Sequence, residues 1–285
     1  MRTHSMHLIA AASILLGVGC GARISTVNEV VAFPAEEIPL DPTAAAWSGV
    51  PAFTANLRPQ DLVDPRLMHA STALVAVQAL TNGAEIGFRL SWVDPELNDL
   101  PGPARFLDGC AIQIPRRVQP EPPNAQMGEA GSPVDVVFWR ADWQASVAGR
   151  GDTIRDLYPN ASIDHYPFEA PSLEEGSAAR QEMARRYAPA AAVGNRRVGP
   201  RELPVEALAS EGPGTLRPNP DLVVSGAGQR TADGWAVVIL RPLPEGLNAE
   251  NRGQIAFAVW EGSREEVGAR KMITGWNPLA IREER

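Results

Sequence analysis

The sequence predicts an all-β protein, an antiparallel β-sandwich, from three observations. Short apolar runs that suit strands recur along the chain. The 25 glycines and 26 prolines among 285 residues supply the turns between such strands. Residues 84–93 alternate, with Ile86, Phe88, Leu90 and Trp92 on one face, which is typical of a strand that buries one face against a second sheet.

The strand candidates follow one another in chain order. Residues 73–80 precede Asn82-Gly83, a dipeptide that favours a two-residue hairpin turn. Further candidates cover residues 109–115, 134–139, 235–240, 254–260 and 271–276. Because candidates lie on both sides of residues 144–210, we interpret that segment as a helical or irregular insertion in one domain. Residues 46–285 form the predicted domain.

Residues 1–19 are typical of a signal peptide, with Arg2 before an apolar stretch. That stretch, residues 8–18, has 11 residues and is too short for a bilayer, which needs about 20. The run Gly17-Val18-Gly19-Cys20 resembles a bacterial lipobox. We therefore expect export, lipidation of Cys20, and a tether over residues 20–45 that holds one short β-like run, residues 25–33. Ordinary cleavage after Ala22 is the alternative.

Composition excludes several classes of protein. A net charge of −8 argues against nucleic-acid binding. Two cysteines cannot build a disulfide scaffold, a cysteine-rich zinc site or a cysteine-bound iron–sulfur cluster. The chain lacks the G-x-S-x-G, H-E-x-x-H and P-loop motifs, so no sequence motif supports a hydrolase. We interpret His69 and His165 as surface residues, although a haem held by both histidines is a further alternative.

Two residues are unusual for their surroundings. Lys271 is the single lysine among 26 basic residues. A deprotonated amine can bind a metal, whereas a guanidinium stays protonated and cannot. A genome that prefers arginine codons explains a single lysine equally well. Met127 lies in a proline-rich loop before Gly128, where strand packing does not account for it. The alternative role for Met127 is to cover the edge of the sandwich.

Four blocks of residues, taken in order, carry a resemblance to a known family. The blocks are Leu90 to Asp94; Cys110 to Pro115 with Met127-Gly128-Glu129 and Trp139 to Trp143; Gly194-Asn195 with Glu211 to Leu216; and Asp233 to Trp235, Arg241 to Leu243, Phe257 to Ser263, Lys271 and Trp276. Over roughly residues 45–280 their order and spacing resemble the haem b-binding gamma subunits of ethylbenzene dehydrogenase and dimethylsulfide dehydrogenase.

The resemblance implies one non-covalent haem b at one end of the sandwich. Carried over to this sequence, it implies that Met127 and Lys271 are the axial ligands of the haem iron. Arg116, Arg140 and Arg241 are candidates to pair with the haem propionates, and the sequence does not choose among them. Such a subunit transfers electrons and is not itself catalytic.

The same resemblance implies a setting for the chain. Subunits of this family lie on the periplasmic side of the cytoplasmic membrane, beside a molybdopterin catalytic subunit and an iron–sulfur subunit. Electrons would pass between that complex and a soluble cytochrome or a quinone-linked carrier. A lipid on Cys20 would hold the chain at the membrane, and without it the chain would be soluble in the periplasm. The substrate is chosen in the molybdenum subunit.

A second function remains open from the residues alone. A haem-free, lipid-anchored β-sandwich of the carbohydrate-binding type would use tryptophans as flat platforms for sugars. The candidates for such platforms are Trp92, Trp139, Trp143, Trp235, Trp260 and Trp276. Tryptophans at strand positions are more simply explained as core residues.

Overall fold

The computed structural model describes residues 28–151, 154–160, 174, 176–187 and 201–283. Cys20 and His165 lie outside the described residues. The strands are β1 (Val30–Pro34), β2 (Phe53–Asn56), β3 (Arg58–Pro59), β4 (Leu74–Thr81), β5 (Glu85–Val93), β6 (Gly109–Pro115), β7 (Val134–Arg140), β8 (Val205–Ser210), β9 (Arg217–Pro218), β10 (Ser225–Arg230), β11 (Gly234–Pro242), β12 (Gly253–Trp260), β13 (Met272–Ile273) and β14 (Asn277–Ile281). The helices are α1 (Ala45–Ser48), α2 (Ala141–Val147), α3 (Ile154–Leu157) and α4 (Ala178–Tyr187). Among these residues, no helix has the length and apolar character needed to cross a membrane.

The strands form two sheets that are continuous at one edge. In the first sheet the order is β10-β11-β5-β4-β1-β14, and β2 also pairs with β4. In the second sheet the order is β12-β6-β7-β8-β9, with β13 beside β12 and β3 beside β13. β12 also pairs with β14, which joins the two sheets. The predicted all-β architecture is therefore confirmed.

Most of the strand predictions agree with the structure to within one or two residues. The Asn82-Gly83 turn joins β4 to β5 in an antiparallel pair, and Gly83 has a φ of 88°. The four alternating residues of β5, from Ile86 to Trp92, are all buried in the core. Residues 271–276 differ from the prediction, because β13 covers two residues there and β14 begins at Asn277.

The sandwich departs from a purely antiparallel arrangement at β1. This strand lies within the predicted tether, yet it pairs in parallel with both β4 and β14. A parallel pair needs no hairpin between its strands, so an N-terminal strand can fill a gap between distant parts of the chain. At the other end of the predicted insertion, β8 pairs with β7 and belongs to the second sheet.

The core lies between the facing sides of the two sheets. In the first sheet it takes alternate residues of β5 and β11; in the second it takes Ile112 and Ile114 of β6, and Phe257 of β12. An ion pair crosses this interior near one end of the strands. Arg241 of β11 lies 3.3 Å from Asp135 of β7, and both side chains are buried. Asp135 also accepts hydrogen bonds from Arg116 and Asn219.

Removal of the Asp135 carboxylate alone should therefore destabilise the fold. In Asp135→Ala, Arg241 stays buried without its counter-charge, so we expect the free energy of unfolding to fall by about 3 to 5 kcal/mol. The double variant Asp135→Ala/Arg241→Met removes both charges and should recover most of that loss. Urea unfolding followed by circular dichroism measures both values. Equal losses in the single and double variants would contradict the prediction.

Candidate functional site

The second sheet is apolar on both of its faces. One face packs into the core, and the other carries a separate cluster of buried residues, which are Ala111, Val134, Val136, Leu208 and Ala258. All seven residues of β6 are buried as a result. A sheet of a sandwich ordinarily turns its outer face to water, so an apolar outer face indicates that something covers it.

A cavity of about 350 Å³ lies against this outer face. Ala111 and Ala258 are direct neighbours across β6 and β12, and Ala256 lies opposite Gln113. Because alanine side chains are short, they leave space for the cavity above the sheet. The walls come from residues 60–63, 105–107, 125–127, 213–216 and 266–274. The volume lies in the range of cavities that hold small molecules and cofactors.

Met127 reaches the cavity from the loop between β6 and β7. Its φ is +72°, in the left-handed region that costs a residue other than glycine about 1 to 2 kcal/mol. The Met127 carbonyl accepts a hydrogen bond of 2.9 Å from the Gly212 amide. Gly212 lies two residues after Ser210, the last residue of β8. Ser210 pairs with Val134 at one end of β7 and β8. The Met127 backbone is therefore held in a strained conformation by the surrounding loop.

Lys271 reaches the same cavity from the residue before β13. The register of β12 and β13 sets Lys271 level with Trp260, at the opposite end of the strands from Met127. Its Nζ lies 4.9 Å from the centre of the Trp260 ring. Burial lowers the pKa of Lys271 to about 8, so the neutral amine costs less to form than in water. Met272 points to the opposite face and is fully buried in the core.

Two glutamines hold the segments that carry these side chains. The Gln113 side chain, on the cavity floor, donates a hydrogen bond of 2.9 Å to the carbonyl of Ala125, two residues before Met127. The backbone N–H of Gln60 donates a hydrogen bond of 2.9 Å to the Lys271 carbonyl. The Gln60 side chain also donates to the Ala269 carbonyl at 3.0 Å. Both segments are thus attached to the β-framework by buried polar contacts.

The charged groups at the cavity are of both signs. Arg105 and Arg140 line it, and Arg140 is also paired with Asp142. The carboxyl of Glu266 lines it as well, and burial raises the pKa of that group. Glu266 accepts a hydrogen bond of 3.0 Å from the amide of Glu261. The cavity therefore offers two arginines to an anionic ligand.

The structure separates the residues suggested by the sequence. Met127, Lys271 and Arg140 meet at the cavity, whereas Arg116 and Arg241 pair with Asp135 elsewhere. His69 is exposed and does not line the cavity.

The tryptophans suggested as sugar platforms are poorly placed for that role, because four of them are buried: Trp92, Trp139, Trp143 and Trp235.

Sequence reasoning missed Gln60, Arg105 and Glu266. The first two have no distinctive sequence signal, since a polar residue in a loop is ordinary. Gln113 lies in one of the four blocks that carry the family resemblance, and the sequence alone assigns it no function. A glutamine between Ile112 and Ile114 is a polar residue in an otherwise apolar strand, and that interruption could have indicated a buried structural contact.

Comparison with known proteins identifies the family. The sequence model of the ethylbenzene dehydrogenase family matches residues 44–272. The chain belongs to this family. A protein of Haloferax mediterranei, named as respiratory nitrate reductase heme subunit ORF7, is 26% identical over 264 residues, covering 90% of this chain and 73% of its own length. Chlorate reductase subunit gamma of Ideonella dechloratans is 26% identical over 244 residues, covering 82% and 75%. The resemblance to the gamma subunits is thereby confirmed.

Solved structures with a related shape include a family 9 carbohydrate-binding module from Caldicellulosiruptor kristjanssonii in complex with cellotriose. The TM-score is 0.42 at 9% identity, over 90% of this chain and 94% of the module. The same kind of module in complex with glucose gives a TM-score of 0.39. Likeness at this level carries no argument about the ligand of the cavity.

Gly128 should be the most sensitive residue of the Met127 loop. Its φ is +80°, and an added Cβ would lie 3.0 Å from the Ser210 carbonyl oxygen and 3.1 Å from that of Ser132. Gly131 has a φ of +77° and open space around it. Gly131→Ala should therefore lower the free energy of unfolding by the backbone strain alone, about 1 to 2 kcal/mol. Gly128→Ala should lower it by roughly 1 to 3 kcal/mol more, because the added Cβ also clashes. Denaturant unfolding of the two variants tests this, and equal losses would contradict it.

Proposed function

We propose that this chain binds one non-covalent haem b in the cavity, with Met127 and Lys271 as the two axial ligands of the iron. The observation that carries the proposal is that the single lysine and a strained loop methionine, distant in sequence, line one apolar cavity. The name of one relative, a nitrate reductase heme subunit, supports the binding of a haem.

The chemistry of the two donors suits that role. A thioether is neutral and favours ferrous iron, which raises the reduction potential. A lysine must lose its proton before it can bind a metal, and the lowered pKa of Lys271 reduces that cost. The haem would supply one-electron oxidation and reduction when bound. Because two protein ligands leave no coordination position for a substrate, we infer that the chain transfers electrons and catalyses no reaction of its own.

The walls of the cavity would serve the cofactor in two further ways. The short apolar side chains of Ala111 and Ala258 would leave room for the cofactor between the two ligand segments, which come from opposite ends of the strands. Arg105 and Arg140 are the described arginines that line the cavity, and they would pair with the haem propionates. Arg140 is favoured over Arg116 and Arg241 because those two do not line the cavity, although Arg140 also pairs with Asp142.

The assignment can be tested on the purified protein reconstituted with haem b. The wild type should give a low-spin absorption spectrum. Lys271→Arg keeps the positive charge but supplies no lone pair, and Met127→Leu keeps a similar volume without the sulfur. Each variant should lose the low-spin signature because one axial ligand is missing. Acid–acetone should extract the haem, since the chain offers no C-x-x-C-H attachment motif.

The matched control is Met68→Leu, since Met68 is 73% exposed and does not line the cavity. Its spectrum should equal that of the wild type. An unchanged spectrum in Lys271→Arg or in Met127→Leu would remove that residue as a ligand. A wild type without a Soret band after reconstitution would overturn the haem proposal.

We further propose that the chain is exported and anchored by a lipid on Cys20 at the periplasmic side of the cytoplasmic membrane. There it would pass electrons between the iron–sulfur subunit of a molybdopterin oxidoreductase and a soluble cytochrome or quinone-linked carrier. Contacts with the complex would add to the attachment that the lipid provides.

This setting can be tested by purification of the tagged chain from solubilised membranes of cells that produce it. We expect larger subunits that contain molybdenum and iron to co-purify with the chain. Labelled fatty acid fed to the cells should appear in the wild-type chain and not in Cys20→Ser, because the acylated residue is lost. A wild-type chain without label would contradict lipidation, and purification without molybdenum would contradict the proposed partners.

A further inference from the structure

Three carboxylates meet at one end of the sandwich, apart from the residues that line the cavity. Asp94 follows β5, Asp108 precedes β6, and Glu261 follows β12. One oxygen from each side chain lies within 4.8 Å of the others, and all three residues are buried. β5 belongs to the first sheet and β6 and β12 to the second, so the carboxylate cluster bridges both sheets.

Hydrogen bonds account for only part of this cluster. Asp108 accepts from the Asn98 amide at 2.9 Å, from Trp235 Nε1 at 3.0 Å and from the Gly262 amide at 3.0 Å. Asp94 Oδ1 accepts from the Glu96 amide at 3.1 Å. Asp94 Oδ2 has no hydrogen-bond partner, although Asp94 is 0% exposed. A buried carboxylate oxygen without a donor is costly, which indicates that a partner belongs there.

The charges of the carboxylate cluster do not balance. Arg230 Nη1 lies 3.8 Å from Asp94 Oδ1. With all three carboxylates ionised, this one cation leaves a net charge of −2. Glu266 adds a further negative group next to Glu261, and Arg264 opposes it. Burial, with repulsion between the carboxylates, raises the pKa of Asp94 to about 7 and that of Asp108 to about 6.

We propose that Asp94, Asp108 and Glu261 bind a divalent cation, Ca²⁺, which holds the two sheets together at this end of the sandwich. The orphaned oxygen of Asp94 would be its first ligand. The ion would neutralise the net charge of −2 left by the three carboxylates and Arg230. This site does not depend on the haem proposal, because none of its three residues lines the cavity.

Calcium is favoured over other ions by the donors and by their burial. The donors are carboxylate oxygens, which hard cations prefer and which soft metals do not. The three oxygens lie within 4.8 Å of one another, so one ion can contact all of them. Ca²⁺ accepts a flexible coordination geometry with several carboxylate ligands, whereas Mg²⁺ demands a near-ideal octahedron and usually keeps several waters. A buried set of three carboxylates therefore suits Ca²⁺ better than Mg²⁺.

The experiment measures bound metal and thermal unfolding of the purified protein. Elemental analysis of protein that was dialysed against Ca²⁺ and then against metal-free buffer should find one Ca²⁺ per chain. After treatment with a chelator, added Ca²⁺ should raise the unfolding temperature by about 5 °C, because it binds the folded state alone. Mg²⁺ should raise it less. NaCl at matched ionic strength should not reproduce the effect.

Two variants separate the site from general charge effects. Asp94→Asn removes one charge with little change in shape, so the metal-free variant should unfold at or above the temperature of the metal-free wild type. It should no longer respond to Ca²⁺. Glu96→Gln, at a neighbouring exposed carboxylate, should keep the full response. The proposal is overturned by a wild type that binds no Ca²⁺, by an equal effect of NaCl, or by an Asp94→Asn variant that still responds.

Discussion

The burial of the second sheet on both faces is the constraint on which the rest of this structure depends. Its inner face completes the core, and its outer face forms the floor of the cavity. Strand β6, between β12 and β7, is buried along its whole length. Leaving such an outer face in water would expose a large apolar patch. The loops that cover this face enclose the cavity, which is a direct consequence of the sheet pattern.

Contacts with the sheet let the covering loops hold side chains at defined places. Gln60 and Gln113 attach the segments of Lys271 and Met127 to the sheet by hydrogen bonds to backbone groups. The strained φ of Met127 is tolerated because these contacts and the Gly212 hydrogen bond fix the loop. Both candidate ligands thus come from loops whose positions are set by buried polar contacts with the β-framework.

Charged groups lie inside the sandwich near both of its ends. Asp135 and Arg241 pair near one end, and Asp94, Asp108 and Glu261 gather at the other. In each place the partners come from different sheets. Buried charges are costly unless they are paired, so the Asp135–Arg241 ion pair penalises any other alignment of the two sheets. The alignment of the sheets in turn places β6 and β12, which form the floor of the cavity.

The sequence by itself determined the strands and the residue types that the site requires. The alternation in β5 and the Asn82-Gly83 turn are local signals, and the structure agrees with them. The single lysine was also visible without a fold, because an amine and a guanidinium differ in chemistry. Only the tertiary structure decided that Met127 and Lys271 share a cavity, that Arg140 lines it while Arg241 does not, and that β1 joins the sheet. Those outcomes depend on pairing between strands far apart in the chain, and local patterns carry no information about such contacts.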